Sequence, residues 1–327
     1  MNSKFKEYNL VYKIIGTGSY LPSNCLSNED LSKFVDTSDS WITDRTGIKQ
    51  RYFVKDELTS DLAVKAGLAA LENANLTAED LDLIIIATTT PDLTFPSTAS
   101  IVQRKIGAVN AACFDVQAVC SGFIYGLSIA EGFFATKKVK NALIIGAESL
   151  SKLLDFEDRT TCVLFGDGAG AAVLTEKTPE DTSGLIRTSI STKGEFTDLL
   201  KTDGGPGLSQ SAGVVHMQGQ EVFRHAVSNL KKVCLDLLAK EGMEKSDIDF
   251  LIPHQANKRI IDSTAKALSL TPEKVIVTVD KHANTSAASI PLALDWANKQ
   301  GKFKKGDILL LEAFGAGFTF GGALIKW

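Results

Sequence analysis

Residues 62–87 read LAVKAGLAALENANLTAEDLDLIIIA: an amphipathic helical pattern, a polar turn, and Asp80-Leu81-Asp82 leading into a short apolar run. Residues 229–254, NLKKVCLDLLAKEGMEKSDIDFLIPH, repeat the plan 167 residues further on, with Asp247-Ile248-Asp249 before the run. One match of this kind carries little weight, because helix–strand units resemble one another anyway. Two more follow in order. AACFDVQAVC, ending at Cys120, faces KVIVTVDKHAN, ending at Asn284, at an offset of 164; ALIIGA (142–147) faces ILLLEA (308–313). Three ordered matches at a nearly constant offset, about half the 327-residue chain, predict a duplicated α/β unit.

The apolar runs 83–87, 142–145, 250–252, 275–277 and 308–311 are continuous rather than alternating. Strands of that kind are buried on both faces, as in a mostly parallel sheet covered by helices. The halves are expected to divide at 178/179, with the loosest stretch at 178–219 around Gly204-Gly205-Pro206-Gly207. Ligands of α/β sheets gather beyond the carboxyl ends of strands. The repeat puts Cys120 and Asn284 at equivalent strand ends and His254 at the end of another, so topology is expected to bring the three together.

Composition narrows the function classes. Hydrophobic residues are 44% and charged residues 23% of the chain, ordinary for a soluble globular protein, and a net charge of -4 gives no reason to expect nucleic acid. Five scattered cysteines (25, 113, 120, 162 and 234) without a CxxC pair argue against disulfides or zinc and for a reducing compartment. Met1 to Tyr12 lacks a signal-peptide apolar core, and no run is long enough to span a bilayer, so a cytoplasmic, membrane-free protein is expected. Neither GxGxxG, a P-loop, HExxH nor GxSxG occurs, which leaves nucleotide, hydride and metal chemistry without support.

Cys120 lies between a strand and an apolar helix running to about Ala135, with small neighbours Ser121 and Gly122. A helix N-terminus stabilises a thiolate, so a nucleophile competes there with a plain buried cysteine. His254 follows a strand and Pro253, a setting that His216, His225 and His282 lack; a neutral imidazole can hold an oxyanion. Asn284 opens a small-residue helix, where an N-cap is the ordinary role and a neutral donor to an enolate oxygen the other. The run Glu312 to Gly322 reads as a tight turn or as a backbone oxyanion hole. Gly166-Asp167-Gly168-Ala169-Gly170 reads as close helix–strand packing.

Together these segments, with Gly16-Thr17-Gly18-Ser19-Tyr20-Leu21-Pro22, Asp39-Ser40-Trp41-Ile42-Thr43-Asp44-Arg45-Thr46-Gly47-Ile48 and Asn284-Thr285-Ser286-Ala287-Ala288-Ser289, resemble β-ketoacyl-[acyl-carrier-protein] synthase III over nearly the whole chain. The resemblance implies a thiolase-like fold: two βαβαβαββ halves in five αβαβα layers, residues 1–178 carrying the Cys and 179–327 the His and Asn. It implies a homodimeric acyltransferase that condenses an acyl-CoA, usually acetyl-CoA, with malonyl-acyl carrier protein to initiate fatty acid synthesis. No cofactor is needed, acyl-CoA being a substrate. The alternatives are a relative using a longer or branched primer in a secondary pathway, or a silent acyl-binding scaffold, which would not need the Cys/His/Asn set.

By the same resemblance Cys120, His254 and Asn284 are catalytic, and the backbone N–H groups of Cys120 and Ala316 form the oxyanion hole. Elongating synthases of this fold carry a second His in place of the Asn, and thiolases a second Cys. Trp41 stacks on the CoA adenine, with Arg45 and Arg159 near its phosphates and base. Phe95 limits the acyl pocket, often across the dimer, and Phe314 lies beside the thiol. Arg259, with Lys258 and Arg224, receives the acidic carrier protein. For Trp41, Phe95 and the basic residues, an ordinary packing or solvated role competes. Ala283 and Ala316 stand where the family usually has glycine.

Overall fold

The computed structural model describes residues 10–327; the N-terminal reading above falls largely on residues 1–9, outside the described residues. Its first sheet contains β1 (Tyr12–Tyr20), β2 (Leu83–Ala87), β3 (Ala112–Val116), β4 (Asn141–Glu148) and β5 (Gly168–Glu176), in the order β1-β5-β4-β2-β3. β3, β2 and β4 pair in parallel, whereas β4–β5 and β5–β1 are antiparallel. The second sheet contains β6 (Gly184–Thr192), β7 (Phe250–Pro253), β8 (Ile308–Gly315) and β9 (Thr319–Lys326), in the order β7-β8-β9-β6, again with a parallel pair followed by two antiparallel ones.

Register sharpens the repeat. Leu83 pairs with Ala142 and Phe250 with Leu309, the same separation in both sheets. Ala142 therefore corresponds to Leu309, one residue beyond the match read from the sequence. Such a slip matters, because one residue turns every side chain of a strand to the other face.

The strand expected at 275–277 is the second-half counterpart of β3, and it has shrunk to one bridge, Leu251 with Val275, and an Ile276 N–H to Leu251 O bond of 2.9 Å. Buried Gln255 substitutes for the rest of the ladder. Its Nε2 donates to Ile276 O at 3.1 Å, and its Oε1 accepts from the N–H groups of Thr278 and Val279 at 2.8 and 3.0 Å. Buried backbone groups must find partners, and here one amide side chain supplies four, Pro253 O at 2.8 Å from Nε2 being the other.

The helices are α1 (Asp39–Thr46), α2 (Thr59–Ala74), α3 (Thr98–Ile106), α4 (Gly122–Ala135), α5 (Gly219–Lys240), α6 (Lys258–Ala267) and α7 (Ser289–Lys299). α2 and α3 cover the outer face of the first sheet, α5 and α6 that of the second, and α4 and α7 lie between the sheets. Five αβαβα layers result. Sequence explains the assignment: α5 is buried along one stripe (Val222, Ala226, Leu230, Cys234, Leu237), as a surface helix should be. α4 is apolar nearly all round, and α7 buries every residue from Ser289 to Asp295. Phe123, Ile124 and Leu127 are each fully buried between the sheets, contributing about 1.5–3 kcal/mol apiece.

α7 belongs to the second half yet is locked to the first sheet. Buried Asp295 accepts from Thr17 Oγ1 at 2.8 Å, from Ser19 Oγ, and from Lys299 Nζ at 2.7 Å. The Gly166–Gly170 run does serve close packing, since a Cβ at Gly170 would stand 2.5 Å from the Leu292 nitrogen of α7. The two halves differ most in one connection. β4 and β5 are joined by residues 149–167, whereas β8 and β9 are joined by 316–318 alone. The stretch 178–219, expected to be loosest, contains β6 and a small ribbon in which Leu200–Thr202 pairs with Val215–Met217. Among the described residues no helix is long and apolar enough to cross a membrane.

Candidate active site

The chain enters each central helix through a 3-10 turn: Val119–Ser121 before α4 and Ser286–Ala288 before α7. Val119 and Ser286 both have φ of 48°, so the two turns are one device used twice. This corrects the expected equivalence of Cys120 and Asn284. The helix starts set Ala287 opposite Cys120, and Asn284 lies three residues upstream, because the short helix Val279–His282 changes the spacing. The two turns pack against each other, and the end of β8 packs on the Cys120 turn. Glycine at 146 makes room, since a Cβ there would stand 2.1 Å from Ala287 O.

Cys120 is 5% exposed. Burial pushes its thiol up to about 12; Ser286 pulls the other way by hydrogen bonding, and the nearby Glu148 charge adds to the rise. The helix N-terminus expected to favour the thiolate is outweighed by desolvation. His254, also buried, is held down to about 3 by burial and is neutral at physiological pH. Its Nδ1 lies 2.6 Å from Ser289 Oγ, which accepts from the Gln255 N–H at 3.3 Å. The serine proton is then directed to Nδ1, leaving the imidazole hydrogen on Nε2 as a donor.

Asn284 is not an N-cap, because α7 begins five residues later. Its Oδ1 accepts from the Ser286 N–H at 2.9 Å, and its backbone is clamped to Leu164 O and Gly166 N, each at 3.0 Å. With the oxygen fixed, the amide NH2 is left to donate. The backbone N–H groups of Cys120 and Ala316 bond to no carbonyl among the described residues. A Cβ at Gly315 would stand 2.9 Å from Cys120 N, so glycine there lets the β8 end lie against the nucleophile's backbone. Thr319 Oγ1 ties the two segments by donating to Ala118 O at 2.9 Å, with Ala316 O at 3.3 Å. Phe314, near the end of β8, is buried in a cluster with Phe318 and Phe320, ring centroids 4.5 and 5.5 Å away. Three more of the residues singled out in the sequence meet at α1. The Trp41 ring has the Arg45 guanidinium 4.4 Å and the Arg159 guanidinium 5.3 Å from its centroid, and Arg159 also donates to Asp36 O at 2.9 Å.

Residues 114–194 match the family model described as 3-oxoacyl-[acyl-carrier-protein] synthase III, and residues 238–327 match its C-terminal counterpart. Beta-ketoacyl-[acyl-carrier-protein] synthase III of Rhodospirillum centenum is 54% identical over 317 residues, 96% of this chain and 98% of the relative. The chain belongs to the 3-oxoacyl-[acyl-carrier-protein] synthase III family. The fold agrees: the crystal structure of the Aquifex aeolicus synthase III has a TM-score of 0.92 at 49% identity, covering 97% of this chain and 100% of that one. The Pseudomonas aeruginosa synthase III structure has a TM-score of 0.92 at 40% identity, covering 97% and 98%.

The two departures from the usual synthase III glycines differ in consequence. Ala316 has an ordinary negative φ, so its methyl costs nothing in backbone strain. Ala283 has φ 58° and ψ −162°, a region essentially reserved for glycine. A283G should therefore raise stability by roughly 1 kcal/mol; an unchanged or lower melting temperature would show that the methyl's packing outweighs the strain.

The residues likened to a synthase III carrier-protein surface cluster as well. Lys258 and Arg259 open α6, with Arg259 4.9 Å from the Phe223 ring centroid, and Arg224 lies one residue on from Phe223 along α5. Lys258 also pairs with Asp262, and Arg224 with Glu221. Phe95 stands apart, 84% exposed.

Sequence reading passed over three polar side chains here. Ser289 stood inside a quoted motif, Glu148 ended an apolar strand, and Glu312 interrupted another, which was the signal available for the two carboxyls. Glu312 is 1% exposed with Oε2 unpartnered, and burial raises it to about 8. Its folded value exceeds the ordinary 4.5, so the stability it allows is full below about 4.5 and is lost as pH rises through 8. E312Q should flatten that loss, by roughly 1 kcal/mol per pH unit; parallel melting curves for the two proteins from pH 5 to 9 would contradict it.

Proposed function

We propose that this chain is a β-ketoacyl-[acyl-carrier-protein] synthase III that condenses an acyl-CoA, acetyl-CoA in the first instance, with malonyl-acyl carrier protein and so initiates fatty acid synthesis. The observation that carries the reading is a buried thiol on a turn packed against the Ser286–Ala288 turn, with neutral His254 tied through Ser289 to the helix that follows that turn and the Asn284 NH2 left to donate. A thiolate at Cys120 attacks the acyl-CoA carbonyl, the N–H groups of Cys120 and Ala316 hold the oxyanion, and CoA leaves. The malonyl group then enters and loses CO2. Its enolate oxygen is held by His254 and Asn284, and its carbon attacks the acyl-cysteine. Both donors are neutral, so neither quenches the carbanion with a proton.

The same reading assigns Trp41, Arg45 and Arg159 to CoA, Arg259, Lys258 and Arg224 to the acidic carrier protein, and Phe314 to the acyl pocket. It takes 1–178 and 179–327 as the halves that bring the nucleophile and the two donors. Phe95 serves the acyl pocket of a second copy in a cytoplasmic homodimer. Support for the dimer is the edge strand β3, whose apolar residues are only partly buried, and the exposed pair Leu93 and Phe95. The cycle needs no bound cofactor. The test is condensation with malonyl-carrier protein across acyl-CoAs of graded length and branching. Preference for acetyl-CoA supports the reading; turnover only with long or branched primers would move the protein to another pathway.

A further inference from the structure

Arg51 lies on a small ribbon, where Cys25–Ser27 pairs with Gln50–Tyr52, and it is fully buried. Its guanidinium donates only to neutral oxygens among the described residues. Nη1 reaches Asn28 Oδ1 at 2.7 Å, with Leu26 O at 3.5 Å, and Nη2 reaches Val163 O at 3.1 Å, while Nε has no partner. Burial lowers the group to about 10, so it is charged at neutral pH. Burying a charge without a counter-charge costs more than burying an apolar side chain of the same size. What the position gains is the fixed pair of directions in which a planar guanidinium donates.

One arm leads to α1. With its oxygen taken by Arg51, the buried Asn28 amide donates through Nδ2 to Asp39 Oδ1 and Ile48 O, both at 2.8 Å, with Thr43 Oγ1 at 3.3 Å. Asp39 is the first residue of α1 and Ile48 follows its Gly47 cap, so one amide pins both ends of the helix that carries Trp41 and Arg45. The other arm leads to Val163, four residues beyond Arg159. The ends of that segment have their own ties, since Asp167 accepts from the Ser151 N–H at 2.8 Å and the Val54 N–H at 2.7 Å. Val163 lies between those ties. At the surface, Trp41, Arg45 and Arg159 are joined by the ring–guanidinium contacts described above and by the Arg159 bond to Asp36, all of them exposed and screened by solvent.

We propose that Arg51 is a positioning residue for CoA, setting α1 against the 149–167 segment so that Trp41, Arg45 and Arg159 form one clamp. The inference rests on the assignment of those three residues to CoA. Ile42 and Ile48 also anchor α1, in an apolar cluster with Val163 and Phe165, but apolar contact is non-directional and leaves the helix free to slide. The two arms of Arg51 remove that freedom. A lysine would keep the charge and lose the fork, reaching one oxygen where arginine holds two. The same segment clamps the Asn284 backbone through Leu164 O and Gly166 N, so a role in shaping the condensation site is the competing reading. The two differ in which substrate feels the change.

The test compares acetyl-CoA with acetyl-pantetheine, which presents the same thioester without the nucleotide, as primers for condensation with malonyl-carrier protein. The proteins are the wild type, R51K, N28D and W41A. In R51K the ratio of kcat/KM for acetyl-CoA to that for acetyl-pantetheine should fall at least about tenfold, through KM rather than kcat. N28D keeps an acceptor toward Arg51 and loses the donor to Asp39 and Ile48, so the same selective loss is expected. Should R51K fail to fold, N28D carries the test alone. A wild-type ratio in either folded variant overturns the proposal. An equal loss with both primers also overturns it and assigns Arg51 to the Asn284 side of the segment. W41A should show the selective loss too. A wild-type ratio in W41A would overturn the assignment of α1 to CoA, and the proposal with it, whereas a selective loss in W41A alone overturns only the role of Arg51.

Discussion

C120A should form no acyl-enzyme and should lose condensation by roughly 10⁴-fold or more. The acyl group must wait on the protein while the second substrate replaces CoA, and no other thiol is placed to hold it. Cys162 and Cys234 are buried on other elements, Cys234 on the inner face of α5 and Cys162 within 149–167, and burial raises both thiols, Cys162 to about 11. Cys25 and Cys113 lie on β-structure outside the site. The substitution removes one buried sulfur, so a stability loss of about 1 kcal/mol is expected, well within what folding tolerates. Intact-protein mass after mixing with acetyl-CoA gives the result directly. An adduct of equal yield and lifetime on the variant would place the acyl group elsewhere.

The sequence exposed the parts of this site that lie on parallel strands. β2, β4, β7 and β8 are continuous apolar runs bounded by polar turns, and the repeated Asp-x-Asp lead-in found the register within one residue. The antiparallel members β5 and β9 were less visible. GAGAAVLTE and TFGGALIK are built from small residues because central helices press on them, and that packing pattern has no period of its own. The lost strand at 275–277 could not be read, because what replaces it is the side chain of Gln255.

The site divides in the same way. Cys120, His254 and Asn284 were visible because each stands next to a strand end or a helix start. The pairing of Cys120 with Asn284 failed by three residues, since the turns at 119–121 and 286–288 are defined by φ, which alternation of apolar residues does not encode. Ser289 was hidden for a related reason, because its significance comes from the bond to His254, 35 residues away in the chain.

N284A should accept the acyl group at near-normal rate and lose decarboxylation, by about 10²–10³-fold. The asymmetry follows from the geometry. In the proposed mechanism acylation uses the thiol and the backbone N–H groups of Cys120 and Ala316, none of which Asn284 is hydrogen-bonded to. Enolate formation needs donors at a second oxygen, and removing one of two leaves His254 alone in a buried site where water cannot substitute. Alanine also deletes the Oδ1 bond to the Ser286 N–H, worth about 1 kcal/mol, and so could loosen the turn that faces Cys120. N284D separates these effects. It keeps the acceptor toward Ser286 and replaces the donating NH2 with an oxygen, so the turn is held while the enolate meets a carboxylate. Both variants should therefore acylate, and both should fail to release CO2 from malonyl-carrier protein, the aspartate at least as severely. Undiminished CO2 release from N284A would remove Asn284 from the chemistry. Failed acylation in N284A with normal acylation in N284D would assign it to shaping the turn.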